Sequence, residues 1–88
     1  MFVTISTIGV FKTVPRKLDY NFQEGITIYE MIKHIGADYP EFQEILNSPA
    51  ADGVVVLLNG QSVFLQNGFY TPLKNGDDIF IAPMTHGG

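Results

Sequence analysis

The 88-residue sequence predicts one α+β domain, a mixed five-stranded sheet with a main helix and a short second helix. Three observations carry that expectation. The N-terminal segments alternate in polarity with period two. A helix with a complete start signal follows them. After it come strand-like runs spaced by Asn59-Gly60, Asn67-Gly68 and Asn75-Gly76.

Residues 2–8, Phe-Val-Thr-Ile-Ser-Thr-Ile, set Val3, Ile5 and Thr7 against Phe2, Thr4 and Ser6 and predict a strand. Gly9 to Pro15 is a turn, because Pro15 lacks the N–H that a central ladder position needs. Arg16 to Phe22 alternates again through Leu18, Tyr20 and Phe22, which makes a β-hairpin. Thr27 then stands as an N-cap with Glu30 three residues on, the pattern of a capping box, and Ile26 and Met31 occupy the staple positions. Ile28, Met31, Ile32 and Ile35 form one apolar stripe, and Gly36 reads as the stop, so the helix is expected near 28–35.

Asp38-Tyr-Pro-Glu41 reads as a second helix start, with Phe42, Ile45 and Leu46 turned to the core, and 47–53 as a loop. Val54 to Leu58 is a continuous apolar run, as expected for a strand buried on both faces. Gln61 to Gln66 returns as its partner, Phe69 to Leu73 is a short connection, and Asp78 to Ala82 is the last strand, stopped by Pro83. The right-handed crossover rule places the third strand parallel to the first. One sheet folded around one helix is the β-grasp arrangement, with residues 1–82 as the domain and 83–88 as a flexible C-terminal tail.

Composition narrows the chemistry. The chain has no cysteine, which excludes disulfides and a thiolate nucleophile and is compatible with a cytoplasmic location. A formal charge of −4 argues against nucleic acid as a partner and for a basic protein surface. No apolar run reaches the length of a membrane span, and the alternating N-terminus has no basic flank, so it reads as a strand and not as a signal peptide. His34 and His86 lack ligand partners at metal spacing, and both read as solvated residues, so no metal is expected. Asp77-Asp78 reads as turn chemistry, since a Ca²⁺ loop needs more ligands at fixed spacing.

The last stretch is the unusual one. Glycine is the costliest residue to order and brings no side chain to bury, so a folded core has little use for Gly87-Gly88. What such an end allows is passage of bare backbone into a narrow channel, so that an enzyme can reach the terminal carboxylate. From Ala82 to Gly88 the chain spans about 23–25 Å when extended. Phe80, between Ile79 and Ile81, falls on the outer sheet face by period two, where an aromatic ring beside the tail suits a partner anchor. Lys74 and Phe11 are further candidate contacts.

Val55-Val-Leu-Leu-Asn-Gly60, Leu73-Lys-Asn-Gly-Asp-Asp-Ile-Phe-Ile-Ala-Pro83 and Gly87-Gly88 together resemble the ubiquitin-like sulfur carriers, among them the small subunit of molybdopterin synthase and the thiamine-pathway carrier. That resemblance implies a mechanism. A partner related to the ubiquitin-activating enzymes uses ATP to adenylate the Gly88 carboxylate. Sulfur delivery then gives a thiocarboxylate that donates sulfur, with molybdopterin biosynthesis as the leading expectation. Gly87, His86, Thr85, Met84 and Phe80 are then the partner-binding residues, and a sulfur-accepting synthase subunit or target proteins are the further partners.

The chain itself offers no Gly-rich phosphate loop and no cysteine, so it is expected to be a carrier and not an enzyme, with no cofactor bound. Its tail departs from the molybdopterin-type Pro-Pro-Val-x-Gly-Gly. Thr85-His86-Gly87-Gly88 looks more like the ubiquitin-related modifiers that serve tRNA thiolation, which keeps a protein modifier joined through Gly88 as the second reading. A β-grasp binding module with an incidental tail is the third.

Overall fold

The computed structural model describes residues 1–8, 11–47 and 54–83. Strand β1 (Phe2–Thr7) pairs antiparallel with β2 (Lys17–Asn21), and helix α1 (Ile28–Asp38) follows. A 3₁₀ turn (Pro40–Gln43) runs into the short helix α2 (Glu44–Asn47). Then come β3 (Val54–Leu58), β4 (Gln61–Ser62), two further 3₁₀ turns (Val63–Leu65 and Gly68–Tyr70) and β5 (Asp78–Pro83). The sheet order is β2-β1-β5-β3-β4, a mixed five-stranded sheet in the β-grasp arrangement.

The start of α1 is as the sequence predicts. Thr27 accepts from the Glu30 N–H at 3.2 Å, and the Glu30 carboxylate accepts from the Thr27 N–H at 3.0 Å. Ile28, Met31, Ile32 and Ile35 are all fully buried against Val3, Ile5, Val56, Ile79 and Ile81 of the sheet. The helix end differs. It passes through Gly36 to Asp38, and Gly36 is buried where a Cβ would collide with the Gln43 side chain, so glycine serves there for close packing and not as a stop. Tyr39 ends the helix instead, since the following Pro40 disfavours helical backbone at its neighbour.

Three strand expectations are corrected. β3 is antiparallel to β5, and β5 is parallel to β1, so β3 runs antiparallel to β1. The crossover leaves from β2, and it is β2 that shares the direction of β3. β3 is buried on one face only: Val54, Val56 and Leu58 point to the core, while Val55 and Leu57 are half-buried on the other side. The segment expected as a strand from Gln61 to Gln66 leaves the ladder after Ser62. The Ser62 hydroxyl accepts from the Phe64 N–H and starts a 3₁₀ turn that drives Val63 into the core.

β5 lies between β1 and β3 and extends one residue further than expected, with Pro83 opposite Val54. Residues 48–53 of the expected loop and residues 9–10 of the expected turn lie outside the described residues, while 11–15 of that turn are described as irregular chain with bends. Phe11, proposed as an exposed contact, is half-buried and meets Phe42 in a tilted arrangement at 5.4 Å between ring centroids.

Candidate functional site

β5 is the strand that leads to the Gly-Gly tail, so its two ends define the site. At its start, Asn59 takes up a left-handed conformation (φ 50°) in the β3–β4 turn. Its Nδ2 donates to Asp77 Oδ1 at 2.9 Å, and its Oδ1 accepts from the Asp78 N–H at 2.9 Å. The second Asp77 oxygen accepts from the Lys74 N–H at 2.7 Å. Backbone bonds from the Gly76 N–H to the Phe2 carbonyl and from the Thr4 N–H to the Asp77 carbonyl fasten the same corner to β1.

Asp77 is 8% exposed. The two motif pieces, Asn59-Gly60 and Lys74-Asn-Gly-Asp77, are thus one buried latch that sets the register of β5. Asp77 was expected as turn chemistry, and its turn is present (Gly76 φ 85°), but its carboxylate reaches across to a turn eighteen residues away in sequence.

At the other end, the Ile8 N–H donates to the Ile81 carbonyl at 3.0 Å, and among the described residues Ala82 and Pro83 pair with β3. The outer face of the sheet near this end has an apolar strip on β5 and β3 with polar flanks: one row across the strands reads Lys17, Ser6, Phe80, Leu57, Ser62. The next rung towards the tail pairs Ala82 with Val55, and Ile8 is 53% exposed beside them.

Phe80 therefore lies on the outer face, half-buried between Ser6 and Leu57. Reasoning from sequence missed Val55, Leu57 and Ala82 as its companions. The signal was present in the unbroken run Val54 to Leu58, whose odd positions must face outwards if only one sheet covers the helix. Met84, Thr85, His86, Gly87 and Gly88 lie outside the described residues.

Among the described residues no group of three His, Cys, Asp or Glu side chains could hold a metal ion. His34 is exposed on α1 and meets Phe22 and Tyr20 edge-on at 5.2 and 5.9 Å. No helix among the described residues is long and apolar enough to cross a membrane. What the described residues offer is an apolar strip of Phe80, Leu57, Val55 and Ala82 on the outer face near the end of β5.

A β-grasp body whose central strand leads to Gly-Gly defines the class of ubiquitin-like carrier and modifier proteins. The sequence matches the ThiS family over residues 10–88, and the chain belongs to that family of small ubiquitin-like sulfur carriers. Curated proteins give no significant match. Solved structures do.

The Haloferax volcanii HVO 2177 protein is similar with a TM-score of 0.79 and 23% identity, over 100% of this chain and 87% of that one. Small archaeal modifier protein 1 from Methanosarcina acetivorans gives a TM-score of 0.74 at 18% identity, over 99% and 96% of the two chains. A chain in the complex of subunits 1 and 2 of the Helicobacter pylori molybdopterin-converting factor gives 0.65 at 22%, covering 100% of both. At these identities the likeness establishes the fold, and the family rests on the sequence match.

Proposed function

We propose that this chain is a sulfur carrier whose Gly88 carboxylate is adenylated by a partner enzyme and converted to a thiocarboxylate, most directly for molybdopterin biosynthesis. The observation that carries the reading is that the matched family region, residues 10–88, includes both the Gly-Gly pair and the central strand that leads to it.

The chemistry follows from the poor reactivity of a carboxylate. A Gly88 oxygen attacks the α-phosphorus of ATP and pyrophosphate leaves. A sulfur nucleophile held by the partner then attacks the acyl carbon, the C–O bond to AMP breaks and a C–S bond forms. The partner supplies ATP and the sulfur. This chain supplies the acyl group and, through Phe80, Leu57 and Val55, the apolar face that docks while the tail enters the partner's channel. A second reading is favoured by one observation, the Thr85-His86 that precedes Gly87, which resembles the ubiquitin-related modifiers. In that case a lysine amine takes the place of sulfur and an isopeptide bond results.

The test is ATP–pyrophosphate exchange by an adenylating enzyme of the ubiquitin-activating class, followed by intact mass of the full chain. Exchange that depends on Gly88, then replacement of one oxygen by sulfur, is the expected result. Lysine conjugates select the modifier reading. Undiminished exchange with a chain lacking Gly88 rules out both. Phe80→Ala should raise the KM for the carrier by about tenfold with kcat kept, the size of one anchor residue.

A further inference from the structure

Three Asn-Gly pairs punctuate the chain, at 59–60, 67–68 and 75–76. All three asparagines are exposed, yet the fold treats them differently. An Asn-Gly pair is a turn signal and also a chemical weak point. Glycine carries no Cβ to shield its nitrogen, so that nitrogen can reach the carbonyl carbon of the preceding side-chain amide. Ring closure needs a free side-chain amide, a free glycine N–H and a backbone able to swing about ψ.

Asn59 is held at both ends of its side chain. Nδ2 donates to the Asp77 carboxylate and Oδ1 accepts from the Asp78 N–H, each at 2.9 Å. Its own N–H donates to the Asp78 carbonyl at 2.8 Å, and the turn is pinned between the paired residues Leu58 and Gln61. In the third pair the nucleophile itself is tied. The Gly76 N–H donates to the Phe2 carbonyl at 2.8 Å, and Asn75 Oδ1 accepts from the Phe2 N–H at 2.8 Å. Both pairs must break bonds to a neighbouring strand before a ring can close.

Asn67 is the exception. Among the described residues its side chain makes no hydrogen bond, and the Gly68 N–H has no acceptor. The pair sits at the joint between the 3₁₀ turns Val63–Leu65 and Gly68–Tyr70, with Asn67 at φ −100° and ψ 19°. Single-turn bonds hold this joint. The Gln66 N–H donates to the Val63 carbonyl at 3.0 Å, and the Tyr70 N–H donates to the Asn67 carbonyl at 3.1 Å. Such turns have poor bond geometry and open easily, which frees ψ. The neighbours Leu65, Gln66 and Tyr70 are exposed and do not wall the amide off from water.

We propose that Asn67 is a site of spontaneous covalent modification in the folded protein, by intramolecular deamidation through a succinimide. The Gly68 nitrogen gives its proton to solvent and attacks Asn67 Cγ. A bond from that nitrogen to Cγ forms, the bond from Cγ to the side-chain nitrogen breaks, and the leaving amide takes a proton and departs as ammonia. Water then opens the ring. Opening at the side-chain carbonyl gives an ordinary aspartate linkage, and opening at the main-chain carbonyl gives a β-linked isoaspartate. Nothing is oxidised or reduced. The new carboxylate lies in a groove of about 460 Å³ that Asn67 lines together with Asn59, Lys74 and Asp77. The β-linkage adds a methylene to the main chain just before the turn that meets α1, where the Thr71 carbonyl accepts from the Ile28 N–H at 3.1 Å and Tyr70 stacks on Tyr29 at 6.3 Å. The isoaspartyl form is a substrate for the class of methyltransferases that esterify isoaspartate. None of this depends on the fate of Gly88.

The test incubates the full chain in warm, mildly alkaline buffer, folded and in parallel unfolded in guanidinium chloride. Peptide mapping by mass follows the replacement of amide nitrogen by oxygen at each pair, and methyl transfer by an isoaspartate-specific methyltransferase scores the β-linked product. Unfolded, all three pairs should react. Folded, Asn67 should lead Asn59 and Asn75 by about tenfold or more, because each of those must first give up a hydrogen bond. The exposed substitution Asn67→Gln lengthens the side chain by one methylene, which disfavours the ring, and should remove the early product. A smaller lead, a folded Asn67 that does not react, or an early product that persists in Asn67→Gln would each overturn the proposal.

Discussion

β5 is held in two different ways at its two ends. At the start, a buried carboxylate engages two partners, and backbone bonds from β1 close the same corner. At the exit the strand pairs with β3 alone among the described residues, and the 11–13 segment beyond β1 is tied by a side chain. Glu41 holds it by accepting from the N–H groups of Lys12 and Thr13. The latch sets the register of the strand that runs towards Gly87-Gly88 in sequence, and its far end is held by fewer bonds among the described residues.

The largest effect should come from the latch. Asp77→Ala removes the buried carboxylate that accepts from the Asn59 amide and the Lys74 N–H, both on exposed residues that water can reach, which costs about 1–3 kcal/mol. Urea unfolding followed by circular dichroism measures it. A loss below about 1 kcal/mol would mean that the two ends of β5 are held equally and that the corner rests on backbone bonds alone.

That latch also marks the limit of what the residues disclosed in advance. The capping box, the apolar stripe, the hairpin and the last strand were legible because each is local, with its partners within four residues or on one period. Asp77 was legible only as a turn residue, since its partner Asn59 comes from a separate hairpin. The same holds for Gly36, which reads locally as a stop and in the fold packs within the helix where Gln43 leaves no room for a Cβ. β1 has β5 and not β3 as its parallel neighbour, a fact of the whole sheet that no window contains. Of the site, Phe80 was legible from alternation. Its neighbours Leu57 and Ser6 required the register.

A smaller effect belongs to Tyr20, which ties the edge strand to Asp38 in the last turn of α1. Partial burial of the ring, and then the Asp38 carboxylate that accepts its proton, raise the phenol from 10.0 to about 12. The folded state thus favours the neutral phenol. Its contribution is fully present below pH 10 and is lost as pH rises through about 12. Tyr20→Phe should lower stability by about 0.5–1.5 kcal/mol at neutral pH and flatten this alkaline loss. A variant that keeps the wild-type slope between these values would show that the Asp38 bond is not made in solution.

The smallest effect, and the most informative about the exit, is that of Glu41. Its carboxylate accepts from the Thr13 hydroxyl, the Lys12 N–H and the Thr13 N–H, and these bonds hold it below the ordinary glutamate value against a slight desolvation. Proton binding therefore favours the released state. The clamp is complete above the ordinary glutamate value and lets go as pH falls through the lower folded one. Because the carboxylate is exposed, global stability should hardly move, while the Lys12 and Thr13 amide shifts titrate together. In Glu41→Gln that joint titration should vanish. If the two amides titrate apart, or if the whole domain unfolds with them, the exit is not locally clamped and its contrast with the latch fails. If they titrate together with the β5 amides still, the 11–13 segment can open without disturbing the strand that leads in sequence to Gly87-Gly88.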